Sequence, residues 1–256
     1  THRQDAAGRN HLHYDLDFDA LTAATKSNTR TFMFCNPHNP VGRVYTRKEL
    51  EQIAEFCLSH NLEICSDEIH SDLLLDGNHH LPIAAVSPEI AERSITLLAP
   101  SKTFNIPGLG CSMAIIPNDD VRQRVEKAAS GIIPHVNLLG KVAATAAYEH
   151  GGPWLNGLKE YLTINRNLVF DFFAKNLPEV EQTLPEGTYL SWLDFRAYGI
   201  TDPYKFFFDN AKVALSSGGS YGTPGEGYAR LNFGTNKATL MQGLNQMAEA
   251  VQKANR

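Results

Sequence analysis

The chain has 256 residues, 43% of them hydrophobic and 20% charged, with a formal net charge of −5. That balance excludes an intrinsically disordered chain, a basic nucleic-acid-binding surface and a polybasic membrane anchor, and it leaves enough apolar residues for a sizeable core. No apolar run reaches the roughly 18 residues of a membrane span, and the polar residues 1–10 lack the apolar stretch of a signal peptide. Cys35, Cys57, Cys65 and Cys111 show no paired metal-ligand spacing. They are expected to be reduced core thiols, which points to the cytoplasm.

Residues 31–35 form a short apolar run closed by Asn36 and Pro37, the pattern of a buried parallel strand. Thr46 followed by Glu49 is a capping box, opening a helix whose apolar stripe is Leu50, Ile53, Ala54 and Cys57. His60 and Asn61 close it, and residues 62–65, 94–98 and 111–116 read as further strands, the last ended by Pro117 and Asn118. Strands alternating with helices at this spacing predict an α/β fold with a mostly parallel sheet and function at the carboxyl ends of its strands. Residues 140–150 are an Ala-rich helix, and Pro153 suits the first turn of a longer one running to about residue 177. After Pro185 and Gly187 comes an alternating strand at 188–194, then a helix opening at Asp202-Pro203 and a loop, 218–227, holding five glycines. A strand at 228–233 and an amphipathic helix at 237–254 complete a small α+β domain, with the boundary inside the long helix near residues 155–170.

Four places carry chemistry, each with a plain structural alternative. Asn36-Pro-His-Asn39-Pro-Val-Gly42 follows a strand, and its two Asn-Pro steps plus a glycine exceed the needs of one turn. The acidic run Ser66-Asp67-Glu68-Ile-His70-Ser-Asp72 also follows a strand. It either caps a helix or holds a positive charge on a ligand nitrogen, while a metal site built from His70, His79 and His80 is the weaker reading. Lys102 stands directly after an apolar strand, where desolvation favours Schiff-base chemistry, and the hydroxyls of Ser101 and Thr103 beside it suit an anion such as phosphate. Arg230 alternates with Leu231 and Phe233 on a strand, placed for a surface salt bridge or for a fork onto a carboxylate. The glycine-rich loop before it is no dinucleotide fingerprint, because no helix opens on it.

Together, residues 36–42, 66–72, 99–105 and 230–233, in this order and approximate spacing, resemble the fold-type I pyridoxal-phosphate enzymes of the class I/II aminotransferase-like family. Within it they resemble the branch of cystathionine β-lyases and related C–S lyases, from about His13 to the C-terminus. The resemblance implies a cofactor, pyridoxal 5′-phosphate, and a role for each matching residue. Lys102 would carry the cofactor as a Schiff base and later shuttle the substrate's α-proton. Asp67 would pair with the pyridinium nitrogen, Asn39 would hydrogen-bond the phenolic oxygen, and His70 would lie near that oxygen. Ser101 would donate to the phosphate, and Arg230 would clamp the α-carboxylate of a sulfur-containing amino-acid substrate.

Two departures qualify the match. Many aminotransferases place Ser and Arg on the phosphate where this chain has Ala99 and Gly110, whereas residues 106–110 resemble the lyase branch. The family also carries a substantial segment ahead of the position of Thr1, so the chain is expected to be a fragment with open sheet edges and exposed apolar surface. On this reading residues 1–160 are the incomplete cofactor-binding large domain and residues 161–256 the small domain. The expected activity is α,β-elimination of cystathionine or cysteine-type substrates to thiol, pyruvate and ammonia, by a cytoplasmic homodimer in full-length form, with neither nucleic acid nor membrane as partner. An aminotransferase is the runner-up, and a non-catalytic truncated fragment or regulatory binding module the alternative from another class.

Overall fold

A computed structural model describes residues 1–5 and 8–254. The chain forms two compact units. One, the α/β unit, comprises Leu16–Pro37 and Val44–Leu158, and the other, the α+β unit, comprises Thr1–Asp15, His38–Arg43 and Lys159–Arg256.

In chain order, β1 (His2–Gln4) and β2 (Asn10–Leu12) pair as an antiparallel hairpin of the α+β unit. The α/β unit then begins with α1 (Phe18–Ala24), whose first turn is capped by the Asp17 side chain accepting from Ala20 N. Next come β3 (Thr31–Cys35), α2 (Arg47–Ser59), β4 (Glu63–Asp67), the short α3 (Pro88–Ala91), β5 (Ser94–Leu98) and the single turn α4 (Pro100–Thr103). The capping box on α2 forms in full, Thr46 and Glu49 each accepting from the other's main chain. The unit is completed by β6 (Met113–Ile115), α5 (Asp119–Ala129), α6 (Leu138–His150) and the first part of α7 (Gly152–Asn176).

The sheet runs β3-β4-β5-β6, parallel across β3, β4 and β5 and antiparallel at the edge strand β6. The mostly parallel sheet expected from the alternation is therefore present. Leu50, Ile53 and Cys57 of α2 bury fully against Ile64, Ile83 and Ile90, each large aliphatic side chain contributing roughly 1.5–3 kcal/mol. None of the four cysteines is in a disulfide, and only Cys57 is a core thiol, because Cys35, Cys65 and Cys111 are half-buried. Burial pushes the Cys57 thiol up to about 12. Both outer strands carry exposed apolar side chains, Met33 on β3 and Ile115 on β6, and Ile132, Ile133, Leu138 and Leu139 are exposed as well.

The α+β unit takes the rest of α7, then β7 (Glu181–Gln182), β8 (Leu190–Asp194), α8 (Pro203–Ala211), β9 (Ser216–Ser217), β10 (Tyr228–Asn232) and α9 (Lys237–Ala254). Its antiparallel sheet runs β7-β8-β10-β9 over a core in which Phe173, Phe195, Phe207 and Phe233 are fully buried. The alternation in β8 predicts one solvated face, yet all five of its residues are buried, Trp192 packing in a cluster with Val41 and Tyr228 against which Leu12 lies. Gly42, at φ +75°, lets the 38–43 loop lie on Pro185, whose Cβ a side chain there would meet at 2.6 Å. Among the described residues, no helix is long and apolar enough to cross a membrane.

Candidate active site

Topology brings the acidic run and the lysine to one edge of the α/β sheet. β4 and β5 are parallel neighbours, so Asp67 at the carboxyl end of β4 and Lys102 in the turn after β5 share that edge. The main chain at Asp67 is pinned on both sides: its carbonyl accepts from Asn36 N at 3.0 Å, and Glu68 N donates to Leu97 O at 3.0 Å. Lys102 sits on a turn opened by Pro100 and closed by Phe104 N donating to Pro100 O at 2.8 Å. Phe104 packs edge-on to Tyr148 and against Gly151, where a Cβ would come within 2.4 Å of its ring.

The three carboxylates of the acidic run have different surroundings. Glu68 is buried and accepts from Ser66 Oγ at 2.9 Å and Ile83 N at 3.2 Å, with His80 Nε2 at 2.6 Å. Asp72 accepts from the buried Thr103 hydroxyl at 2.9 Å. Asp67 accepts only from the nearby Ile69 N, at 3.2 Å, and has no cationic partner among the described residues. Its charge acts on Cys65, whose thiol is pushed up by burial first and by Asp67 second. Lys102 has no hydrogen bond or ion pair among the described residues and is half-buried. The half-buried Ser101 stands beside it, and His70 is buried at the start of the turn it closes with Leu73 N.

The sequence reading placed an anion on the hydroxyls of both Ser101 and Thr103. The structure corrects this for Thr103, whose hydroxyl is engaged by Asp72 across a separation of 31 residues. His80 likewise has Nε2 on Glu68 rather than on a metal, and among the described residues no group of three or more His, Cys, Asp or Glu side chains is arranged to hold one.

Asn39 and Arg230 belong to the α+β unit. Arg230 projects from β10 and donates from Nη1 to Asn39 Oδ1 at 2.8 Å and from Nη2 to Ser216 Oγ at 3.0 Å. Its Nε is buried and has no partner among the described residues, and no carboxylate neutralises the guanidinium there. The charge is felt by Tyr189, whose phenol burial raises and Arg230 lowers. Because Asn39 gives its oxygen to Arg230, its amide NH₂ remains as a donor. Ser216 escaped the sequence reading of the site, and the pairing of Thr103 with Asp72 was not foreseen although both residues lay in the runs it singled out. Their roles depend on partners distant in sequence, and the glycine-rich loop beside Ser216 was the one signal pointing there.

An α/β sheet with an unneutralised lysine and carboxylate at the ends of neighbouring parallel strands, followed by an antiparallel α+β unit, is the architecture of aminotransferase fold type I. Cystalysin from Treponema denticola, in a crystal structure containing pyridoxal 5′-phosphate, superposes with a TM-score of 0.90 at 34% identity, covering 99% of this chain and 64% of its own. The family model described as aminotransferase class I and II matches residues 9–247, and the chain belongs to that family. Cystathionine beta-lyase PatB of Bacillus subtilis (strain 168) is 41% identical over 265 residues, spanning 98% of this chain and 68% of PatB. Protein MalY of Escherichia coli (strain K12) is 35% identical over 231 residues, spanning 88% of this chain and 58% of MalY. The chain thus spans roughly three-fifths to two-thirds of the length of these relatives.

Proposed function

We propose that the protein is a pyridoxal-phosphate-dependent C–S β-lyase that takes cystathionine or a cysteine-type amino acid to a thiol, pyruvate and ammonia. The observation that carries the reading is the set of ionic groups without charged partners among the described residues: Lys102, Asp67 and Arg230, the last with a buried Nε that has no partner there. These groups fit the cofactor: an amine for its aldehyde, a carboxylate to accept from its protonated ring nitrogen, the amide NH₂ of Asn39 to donate to its phenolic oxygen and the Ser101 hydroxyl to donate to its phosphate. When bound, pyridoxal phosphate supplies an electron sink for the pair released as the substrate's α-proton leaves.

Each residue then has a task. Asp67 would hold a proton on the cofactor's ring nitrogen, a charge pairing strengthened by partial burial. Lys102 takes the proton from the substrate's Cα, after which the Cβ–S bond breaks and the thiolate departs. Arg230 receives the α-carboxylate, with its guanidinium already oriented by Asn39 and Ser216. His70, buried beside the sheet's carboxyl edge, would lie near the cofactor's phenolic oxygen. The same reading takes the enzyme to be a cytoplasmic homodimer, with residues 1–160 belonging to the cofactor-binding domain and 161–256 to the small domain.

The test supplies cystathionine without any keto acid and follows pyruvate over many turnovers. Sustained, stoichiometric pyruvate and thiol production is expected. A single turnover that stalls until a keto acid is added contradicts the lyase reading and indicates transamination.

A further inference from the structure

The glycine-rich loop that the sequence left without a role has a defined structure in the α+β unit. It makes two tight turns, Gly218–Tyr221 and Thr223–Gly225. The main chains of Gly218 and Gly225 touch, and a Cβ on either would lie 2.1 Å from the other's carbonyl oxygen. Only glycine permits this closure, which holds the loop shut with Tyr221 at its tip.

Tyr221 meets two partners. Its ring stands edge-on to Trp192 at 5.4 Å, and Trp192 is itself stacked on Tyr228 at 5.1 Å. The guanidinium carbon of Arg230 lies over the Tyr221 ring, 5.5 Å from its centroid, within cation–π range. The two hydrogen bonds of Arg230, to Asn39 and Ser216, lie along its N–H directions in the guanidinium plane and leave tilt out of that plane unrestrained. An aromatic face over the cation supplies that missing restraint. The Tyr221 hydroxyl makes no hydrogen bond among the described residues, so the ring rather than the phenol is the working part.

We infer that Tyr221 is a positioning residue for substrate binding: it fixes the tilt of Arg230 so that the Nη N–H groups not engaged by Asn39 and Ser216 meet the α-carboxylate. This rests on the reading of Arg230 as the carboxylate clamp. Tyr221 therefore acts on carboxylate affinity and leaves the proton transfer at Cα untouched.

The experiment compares wild type, Tyr221→Phe, Tyr221→Leu and Arg230→Lys in the full chain loaded with cofactor, using an S-alkyl-cysteine for kcat and KM. A second readout needs no turnover: calorimetric Kd for a 3-(alkylthio)propionate, which keeps the carboxylate and thioether but lacks the amino group, measured on cofactor-free protein. Tyr221→Leu is expected to raise KM and that Kd together by about five- to tenfold, equivalent to roughly 1–1.4 kcal/mol, with kcat within about twofold of wild type. Tyr221→Phe is expected to behave as wild type. The proposal is overturned if Tyr221→Leu leaves both constants unchanged while Arg230→Lys raises them, or if Tyr221→Phe is as impaired as Tyr221→Leu. Should Arg230→Lys itself change neither constant, the clamp reading fails and the proposal fails with it.

Discussion

In the α/β unit, Asp67 and Lys102 are placed by main chain: parallel strand ends, a pinned peptide and a proline-opened turn. In the α+β unit, Arg230 is held by side chains, with Asn39, Ser216 and Tyr221 each fixing part of its guanidinium. On the proposed reading, the groups assigned to bond formation and proton transfer take their position from topology and keep their side chains without charged partners among the described residues. The group assigned to substrate recognition is built into a network. The first kind should tolerate changes in neighbouring side chains, whereas the second should register them.

Removing a group placed by topology should be most costly. Lys102→Ala is expected to lower kcat by about 10⁴-fold, roughly 5.5 kcal/mol of barrier, with the fold intact by circular dichroism. Residual activity near wild type would mean that another amine does the work. Glu68 sharpens the contrast, because it adjoins Asp67 but is engaged by Ser66, Ile83 and His80. Glu68→Ala should destabilise the α/β unit by about 3–5 kcal/mol in urea titration, since it leaves three buried groups without their acceptor. A stable Glu68→Ala protein that has lost cofactor binding would instead make Glu68 the ligand carboxylate and break the comparison.

The α+β unit has its own marker in His13, buried beside Arg43 and 3.4 Å from Asp15. Burial first, and the positive charge of Arg43 second, lower its pKa from 6.5 to about 4. Because the folded value lies below the unfolded one, the unfolded chain takes the proton first as pH falls. The stability from the neutral ring is complete above pH 6.5 and is lost between 6.5 and about 4, a difference of roughly 3 kcal/mol. His13→Gln should flatten the fall of melting temperature across that window, and an unchanged slope would show that other groups govern it. The smallest effect is expected at Asp67, where Asp67→Ala should slow elimination by about 10²-fold, or roughly 2.7 kcal/mol. Wild-type rates in that variant would reduce the acidic run to loop structure.

Local signals were legible and distant pairings were not. The box at Thr46 and Glu49 and the stripe Leu50, Ile53, Ala54 and Cys57 located α2, because a cap and a helical period both lie within one element. Asn118 was read as the end of a strand, whereas its side chain caps α5 by accepting from Val121 N. The β1–β2 hairpin was missed too, its polar strands giving no apolar period, as was α1, whose seven residues are too few for the Phe18 and Leu21 pair to repeat. β6 was foreseen as a strand, but its antiparallel direction depends on the path of the connection, which no periodicity encodes. In the site, Asp67 and Lys102 stood out because each follows an apolar run. Sequence reading also credited Thr103 to an anion, since its bond to Asp72 exists only once two loops meet.

The central claim is that the amine left free at Lys102 is the one that carries the cofactor. Incubating the protein with pyridoxal phosphate, reducing with borohydride and mapping the peptides by mass spectrometry tests it directly. The account predicts a pyridoxyl group on Lys102, abolished in Lys102→Ala. Labelling confined to another lysine, or none above that of an unfolded control, would contradict it.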